Sequence, residues 1–207
     1  MKHPLFIVFI VLIIGGCVRK KDPAQQKEEI PVPQNLEEAS IEELNQLVIQ
    51  EPNNPEILYY RGLYYQNQED YKLAIDDFTK SIQLDSGSAN AWQNRGGSKF
   101  ALDDFDGAME DYSKAIEIKP DFFEAYYNRA MIFDIKEDYE HSIADYTTVI
   151  ELQPAFVEAI YNRGVNYYMM KELDKACMDF QKAADLGDED GKGAYQKYCL
   201  GKNNSKK

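Results

Sequence analysis

Residues 161–164 read YNRG and lie within the apolar run AIYNRGVNYYMM. Similar words occur three times earlier in the chain, as YYRG at 59–62, QNRG at 93–96 and YNRA at 127–130. A repeat at a fixed period of this size is typical of an array of similar structural units. The arginines of the four words are spaced 34 residues apart: Arg61, Arg95, Arg129 and Arg163.

The 34-residue period divides the body of the chain into four units, at 55–88, 89–122, 123–156 and 157–190. Apolar or small residues recur at unit positions 4, 8 and 11, and again at 20, 24 and 27. These spacings place each set on one face of a helix. Each unit is therefore predicted to be a helical hairpin, with small residues at positions 8 and 20 letting its two helices approach closely. Position 8 is Gly62, Gly96, Ala130 and Gly164.

This pattern resembles the tetratricopeptide repeat, which has the same period. The resemblance implies an all-α fold, an α-solenoid of stacked antiparallel helix pairs. A few residues depart from the family pattern, among them KEL at 171–173, which replaces the acidic-aromatic turn of the other units. Lys99 replaces an aromatic residue at position 11, and Ser86 and Asp188 replace the proline near the end of a unit.

The repeat pattern extends beyond the four units at both ends. A half-repeat helix is predicted at 36–51, because Leu44 and Leu47 continue the register of positions 24 and 27. A capping helix is predicted at 191–200, since terminal repeats need an atypical outer face. Residues 201–207 are polar and basic, and are predicted to be a frayed tail.

The amino terminus is predicted to be a signal peptide, residues 1–16, because a ten-residue apolar run is too short to span a bilayer. The sequence IGGC at 14–17 resembles a bacterial lipobox, which implies a lipidated Cys17 and membrane association through the lipid. Residues 17–35 would then be a flexible tether. The implied location is the cell envelope, with the periplasmic face of the outer membrane favoured over the inner membrane or the cell surface. The alternative is an ordinary secreted protein.

Every unit pairs an arginine at position 7 with an aspartate at position 23, which predicts repeated structural ion pairs. Pairing within a unit and pairing between position 23 and the next unit both fit the spacing. We favour the second, which adds Glu43 to Arg61 and Asp179 to Lys197. Solvated surface charges are the alternative. The aspartates are Asp77, Asp111, Asp145 and Asp179.

Cys177 and Cys199 are a candidate disulfide, because they fall in the same inter-unit register as Asp179 and Lys197. An oxidising location outside the cytoplasm would favour the bond. Two buried free thiols are the alternative.

Composition limits the function. The net charge of −13 disfavours nucleic acid as a partner. Beyond the leader, His141 is the only histidine, so no metal site is predicted. No nucleotide, dinucleotide or nucleophile-elbow motif is present, so no cofactor and no enzymatic activity are predicted.

The resemblance also implies a groove lined by the first helices, where a protein or peptide partner binds. Tyrosine and asparagine at these positions suit a peptide, and acidic rim residues suit a basic one. The alternative is that many of them pack between first helices. The candidate residues are Glu56, Tyr59, Asn94, Glu124, Tyr127, Asn128, Met131, Glu158, Tyr161, Asn162 and Tyr168.

The sequence thus predicts a lipid-anchored scaffold or adaptor, with a role in assembling envelope complexes. Members of the family that hold the carboxylate of chaperone tails need lysine or arginine in the groove. Such a clamp is not expected here, because the corresponding residues are acidic, Asn, Tyr or Gln. Two alternatives are a hydrolase using paired carboxylates and a homo-oligomeric structural lipoprotein.

Overall fold

The computed structural model describes residues 35–200 of the chain, and all regular structure within that range is helical. A single 3₁₀ turn, Leu36–Glu38, comes first. The α-helices that follow are α1 Ile41–Gln50, α2 Pro55–Asn67, α3 Tyr71–Leu84, α4 Ala89–Ala101, α5 Phe105–Ile118, α6 Phe123–Ile135, α7 Tyr139–Leu152, α8 Val157–Met169, α9 Leu173–Asp185 and α10 Glu189–Tyr198.

The turns between the two helices of each unit share one backbone conformation. The residue at unit position 15 adopts a left-handed conformation, with φ between 56° and 65°. Such a residue just past a helix ends it by satisfying its last carbonyl groups. The chain then reverses within three residues, and the second helix begins. The four left-handed residues are Glu69, Asp103, Glu137 and Lys171.

Close packing joins the two helices of each unit. A Cβ atom on Gly96 would lie 2.8 Å from a ring carbon of Tyr112, and one on Gly62 only 2.7 Å from the ring of Phe78. Glycine at position 8 therefore gives the aromatic ring at position 24 its space. The aromatic residues Phe78, Tyr112, Tyr146 and Phe180 are all buried.

Each helix contacts the next one along the chain, from α1 to α10. Buried apolar residues form clusters along the stack, and α1 contributes the buried Leu44 and Leu47. The predicted all-α solenoid of stacked helix pairs is confirmed.

The amino-terminal helix is shorter than the predicted 36–51. It begins at Ile41, because Ser40 forms a capping box with Glu43. The Ser40 side chain accepts from the Glu43 backbone, and the Glu43 carboxylate accepts from the Ser40 N–H at 2.8 Å. Reciprocal bonds of this kind fix where a helix starts.

The arginines form the ion pairs within each unit, not between units, so the favoured register is wrong. Each guanidinium contacts its aspartate through two nitrogens, at 2.6 to 2.8 Å. Glu43 caps α1 instead of meeting Arg61, and the Lys197 ammonium lies over the ring of Tyr198. The pairs are Arg61–Asp77, Arg95–Asp111, Arg129–Asp145 and Arg163–Asp179.

The contact between units uses the third guanidinium nitrogen. Nη1 donates to a neutral oxygen at position 25 of the preceding unit, at 3.0 to 3.2 Å. Each arginine therefore joins three helices, which explains its place in an apolar run. The acceptors are Asn45, Thr79, Ser113 and Thr147.

Lys99 is a local variation on this arrangement. Its ammonium lies 2.9 Å from Asp111 Oδ2 and donates to the Gly107 carbonyl. Asp111 therefore has two cationic partners, Arg95 and Lys99. Lys99 therefore replaces the usual aromatic residue with an ammonium group that forms an ion pair with the buried Asp111.

The carboxyl-terminal helix is held by a disulfide between Cys177 and Cys199, with their Cα atoms 5.7 Å apart. The two cysteines are not free thiols. The helix itself spans Glu189–Tyr198 rather than 191–200, because Asp188 accepts from the Gly191 N–H at 2.7 Å and starts it earlier. Asp188, at the place of the usual proline, thus acts as an N-cap.

Several predictions concern residues outside the described range. The signal peptide, Cys17, the tether up to residue 34 and the tail at 201–207 all lie there. Within 35–200, no helix is long and apolar enough to cross a membrane.

Candidate functional site

The predicted groove residues lie on α2, α4, α6 and α8, the first helices of the four units. We call the surface that they form the first-helix face. Glu56, Glu124, Glu158 and Tyr168 are exposed there. The others are half-buried: Tyr59, Asn94, Tyr127, Asn128, Met131, Tyr161 and Asn162.

Some of these side chains tie neighbouring first helices together. Asn94 Nδ2 donates to the Tyr59 hydroxyl at 2.9 Å, which links α4 to α2. Gln66 adds bonds from Nε2 to the Asn94 carbonyl and to Ser98 Oγ, at 3.0 and 3.1 Å. Tyr59 and Asn94 are therefore partly structural, and the polar groups that a peptide would meet here are already oriented.

Tyr127 lies at the centre of an aromatic group. Its ring centroid is 5.1 Å from that of Phe156 and 5.7 Å from that of Tyr146. Burial raises the pKa of the Tyr127 hydroxyl, and the negative charges of Glu158 and Asp134 raise it further. The hydroxyl stays protonated at neutral pH, so it remains able to donate a hydrogen bond.

The charge of the first-helix face is negative. Unit positions 2, 5, 6, 9 and 12 contribute the side chains of this face, and the charged residues at these positions are Glu56, Glu124, Asp134 and Glu158. A surface cleft of about 390 Å³ lies beside Tyr59 and Tyr60, and Glu56 and Asp85 also line it. The combination of tyrosine rings and carboxylates suits a cationic group.

Family models match the chain across the four units. A tetratricopeptide repeat model matches residues 55–88, two further ones match 123–156 and 158–186, and a TPR repeat model matches 96–133. The chain is a tetratricopeptide repeat protein.

Solved structures resemble this tetratricopeptide repeat protein over most of the described range. A crystal structure of MamA is 26% identical with a TM-score of 0.69, covering 73% of this chain and 89% of that one. MamA from Desulfovibrio magneticus RS-1 shares the fold at 23% identity, with a TM-score of 0.66 and coverage of 70% and 82%.

A third similar structure carries a ligand. It is the first TPR of Spaghetti (RPAP3) bound to the HSP90 peptide SRMEEVD, 26% identical with a TM-score of 0.55. The match covers 56% of this chain and 93% of that one. No curated protein matches the sequence significantly.

A polar cluster joins the third and fourth repeats. Asp134 Oδ1 accepts from Ser142 Oγ at 2.5 Å and from Asn166 Nδ2 at 2.6 Å, and its Oδ2 accepts from the Tyr146 hydroxyl at 2.7 Å. Asn162 completes the group with a bond to the Tyr146 hydroxyl at 3.4 Å. We call these five residues the Asp134 cluster. Burial raises the pKa of Tyr146, and Asp134 adds to the effect.

The carboxyl-terminal end of the first-helix face is aromatic. The rings of Tyr168 and Tyr198 lie 4.5 Å apart, so α10 covers part of the last repeat. Tyr161 packs on the buried Phe180 at 5.9 Å. The disulfide thus holds a helix that also shapes this end of the face.

Sequence reasoning placed Asp134 and Asn162 at groove positions and Ser142 and Tyr146 at helix-packing positions, but it did not predict the hydrogen bonds that join them. Asn166 stands at position 10 of the next unit, where no family pattern directs attention. The one sequence feature that could have indicated the cluster is that only the third unit has a carboxylate, Asp134, at position 12. In the described part of the chain, no group of histidine, cysteine, aspartate and glutamate side chains is placed to hold a metal ion.

Proposed function

We propose that this repeat protein is an interaction scaffold that binds an extended, positively charged segment of a partner protein on its first-helix face. The observation that carries the proposal is the charge of that face. Glu56, Glu124 and Glu158 are exposed along it, and they alternate with half-buried tyrosines. Tyrosine rings offer contact area with a polar tip, as at many protein interfaces.

The similar RPAP3 domain binds a peptide of the opposite character. SRMEEVD contains two glutamates and ends in aspartate and its carboxylate. An acidic tail of this kind would meet Glu56, Glu124 and Glu158 on the present chain, and like charges repel. The fold thus supports peptide binding, while the charge favours lysine- and arginine-rich segments.

Fluorescence anisotropy with a labelled decapeptide of alternating lysine and serine tests the proposal. We expect the wild-type protein to bind it and the triple variant Glu56→Gln, Glu124→Gln, Glu158→Gln to bind at least tenfold more weakly, from roughly 0.5 kcal/mol per exposed charge pair. Labelled SRMEEVD should not bind either protein. Raising the salt concentration should weaken the wild-type complex.

A matched variant controls for net charge. Asp76→Asn, Glu110→Gln and Glu140→Gln change three exposed residues on second helices by the same total charge. This variant should bind the decapeptide almost as tightly as wild type. Equal weakening in both triple variants would show that the whole-molecule charge governs binding, and would overturn the first-helix face as the site.

We further propose that the protein is anchored in the cell envelope by a lipid on Cys17. The support is the short apolar run that ends in IGGC. In bacterial cells producing the full chain, we expect fatty-acid label on the protein and its recovery with membranes. Cys17→Ser should abolish both, whereas Cys177→Ser with Cys199→Ser should change neither. A wild-type protein without lipid label would refute the anchor.

A further inference from the structure

The Asp134 carboxylate differs from the four buried aspartates of the array. Asp77, Asp111, Asp145 and Asp179 each contact an arginine. Asp134 is half-buried, and its contacts are a serine, an amide and a tyrosine hydroxyl. No lysine, arginine or histidine of residues 35–200 lies within ion-pair distance of it.

The negative charge of Asp134 is not needed to join the repeats. Gln66 stands at the same unit position in the first repeat and bonds to α4 through its neutral amide. Its acceptor Ser98 occupies the position that Asn166 occupies beside Asp134. A neutral side chain therefore suffices for the junction, and the carboxylate brings a charge in excess of that role.

A charge that is partly removed from water and has no counterion carries a free-energy cost, which a cation from outside would offset. The surroundings of Asp134 favour such a cation. The Tyr127 ring lies 5.7 Å from the ring of Tyr146, whose hydroxyl donates to Asp134 at 2.7 Å. Glu158 stands one helical turn before Asn162, which also bonds to that hydroxyl. An aromatic face adds attraction for an ammonium or guanidinium group.

We propose that Asp134 is a specificity-determining residue, whose carboxylate, together with Glu158 and the Tyr127 ring, receives a lysine or arginine side chain of the bound segment. The inference rests on the proposed function, since it assigns a subsite on the same first-helix face. Exposed glutamates then supply general attraction, and the Asp134 cluster fixes the register of the segment through its pre-oriented hydrogen bonds.

Asp134→Asn is the decisive variant, because an amide keeps an oxygen for Ser142 and Asn166 and offers an N–H to the Tyr146 oxygen. We expect the lysine–serine decapeptide to bind about tenfold or more weakly, as for the loss of a charge-assisted hydrogen bond. A decapeptide with Nε-acetylated lysines should not distinguish the variant from wild type. Glu140→Gln, with the same change of charge on α7, should leave binding of the lysine–serine decapeptide unchanged.

Stability separates this assignment from a purely structural one. Removing an unpaired charge should leave the urea unfolding midpoint of Asp134→Asn equal to that of wild type or higher. A lower midpoint with unchanged affinity would assign Asp134 to the fold alone and overturn the proposal. Failure is distinguishable from failure of the proposed function. If only the Asp134 subsite is wrong, wild type and Asp134→Asn bind the decapeptide equally, while the Glu56, Glu124, Glu158 variant binds it more weakly. If the proposed function is wrong, the wild-type protein does not bind the decapeptide.

A measurement on the wild-type protein tests the same subsite even if Asp134→Asn does not fold. The ¹³Cγ resonance of Asp134, assigned through its own backbone, should shift on addition of the lysine–serine decapeptide and stay in place with the acetylated one. The subsite would be overturned if the Asp134 resonance shifts with neither peptide while the Glu124 and Glu158 resonances shift with the lysine–serine decapeptide.

Discussion

Arg129 and Asp145 join α6 to α7 inside one repeat, with Arg129 Nε and Nη2 each 2.8 Å from a carboxylate oxygen of Asp145. The aspartate side chain is 8% exposed and that of the arginine 21%. Both charges are largely withdrawn from solvent, and the two-point geometry satisfies them together. The pair is thus a structural element of the hairpin rather than a surface contact.

Removal of the Asp145 carboxylate should be costly. We expect Asp145→Ala to lower the free energy of unfolding by about 3 kcal/mol, because the Arg129 guanidinium is left without its partner. Urea denaturation followed by circular dichroism measures the loss. Asp106→Ala is the control, since that carboxylate is 81% exposed in its pair with Lys136. Equal losses in the two variants would mean that the burial of the pair is irrelevant.

Glycine at position 8 should be replaceable only at a cost. A methyl group on Gly96 would lie 2.8 Å from a ring carbon of Tyr112 and 3.3 Å from the Ala108 carbonyl oxygen. We expect Gly96→Ala to destabilise by about 1–3 kcal/mol through overpacking. Gly193, which has no atom within 4 Å of an added Cβ, lies inside α10.

The matched variant Gly193→Ala should therefore stabilise by about 0.5–1 kcal/mol, since alanine loses less backbone entropy in a helix. Thermal unfolding of the two variants beside wild type gives the comparison. Two shifts of the same sign would contradict the assignment of the clash at Gly96.

The Cys177–Cys199 disulfide closes a loop of 22 residues around the turn between α9 and α10. Replacing both cysteines by serine should reduce stability by about 3 kcal/mol, the usual effect of opening a loop of this length. Adding a dithiol reductant should destabilise the wild-type protein and leave the double variant unaffected. Denaturation curves with and without reductant decide, and a reductant-insensitive wild type would contradict the prediction.

Alkaline pH should unfold the protein through its buried tyrosines. Burial raises the pKa of Tyr112 above the ordinary value of 10.0, and the charge of Asp111 adds to the shift. The folded state therefore holds the hydroxyl proton more tightly than the unfolded state does. The resulting stability is complete below pH 10.0 and is lost as the pH rises towards the folded-state pKa.

Tyr112→Phe isolates this contribution, because it keeps the ring and removes the titrating group. Unfolding free energies measured by urea at several pH values above neutrality should decline less steeply in the variant. Identical slopes for variant and wild type would show that Tyr112 does not contribute to the alkaline transition.

Periodicity made the helices and their order predictable. Gly62, Gly96 and Gly164 recur with the aromatic residues they accommodate, so the sequence alone indicates which faces meet. The residues at which helices begin and end were harder to predict from the sequence. The capping box of Ser40 starts α1 five residues later than predicted, and the N-cap of Asp188 starts α10 two residues earlier than predicted.

The register of the ion pairs was harder to predict for a physical reason. Each arginine faces both the second helix of its own unit and that of the preceding one, and both pairs are antiparallel. The aspartate repeats with the same period in either arrangement. The distinguishing signal was the neutral acceptor at position 25, such as Thr79 or Ser113, which serves the second contact without a charge.

The proposed binding surface could be predicted only in part from the sequence. The acidic residues Glu56, Glu124 and Glu158 are exposed as predicted for a rim. Tyr59 and Asn94 bond to each other across two units, which no pattern within a single unit can reveal. The Asp134 cluster, drawn from three helices, depended in the same way on contacts between repeats.

The arginine contacts also constrain how a chain of this kind changes its length. If residues 89–122 were lost as one block, Thr79 would stand before Arg129 in the place that Ser113 now fills, and the new boundary would have the same donor and acceptor types as the old. Excisions or duplications of complete 34-residue blocks therefore preserve the arginine contacts between units. An insertion or deletion of any other size would shift each later arginine away from the position 25 oxygen to which its Nη1 donates.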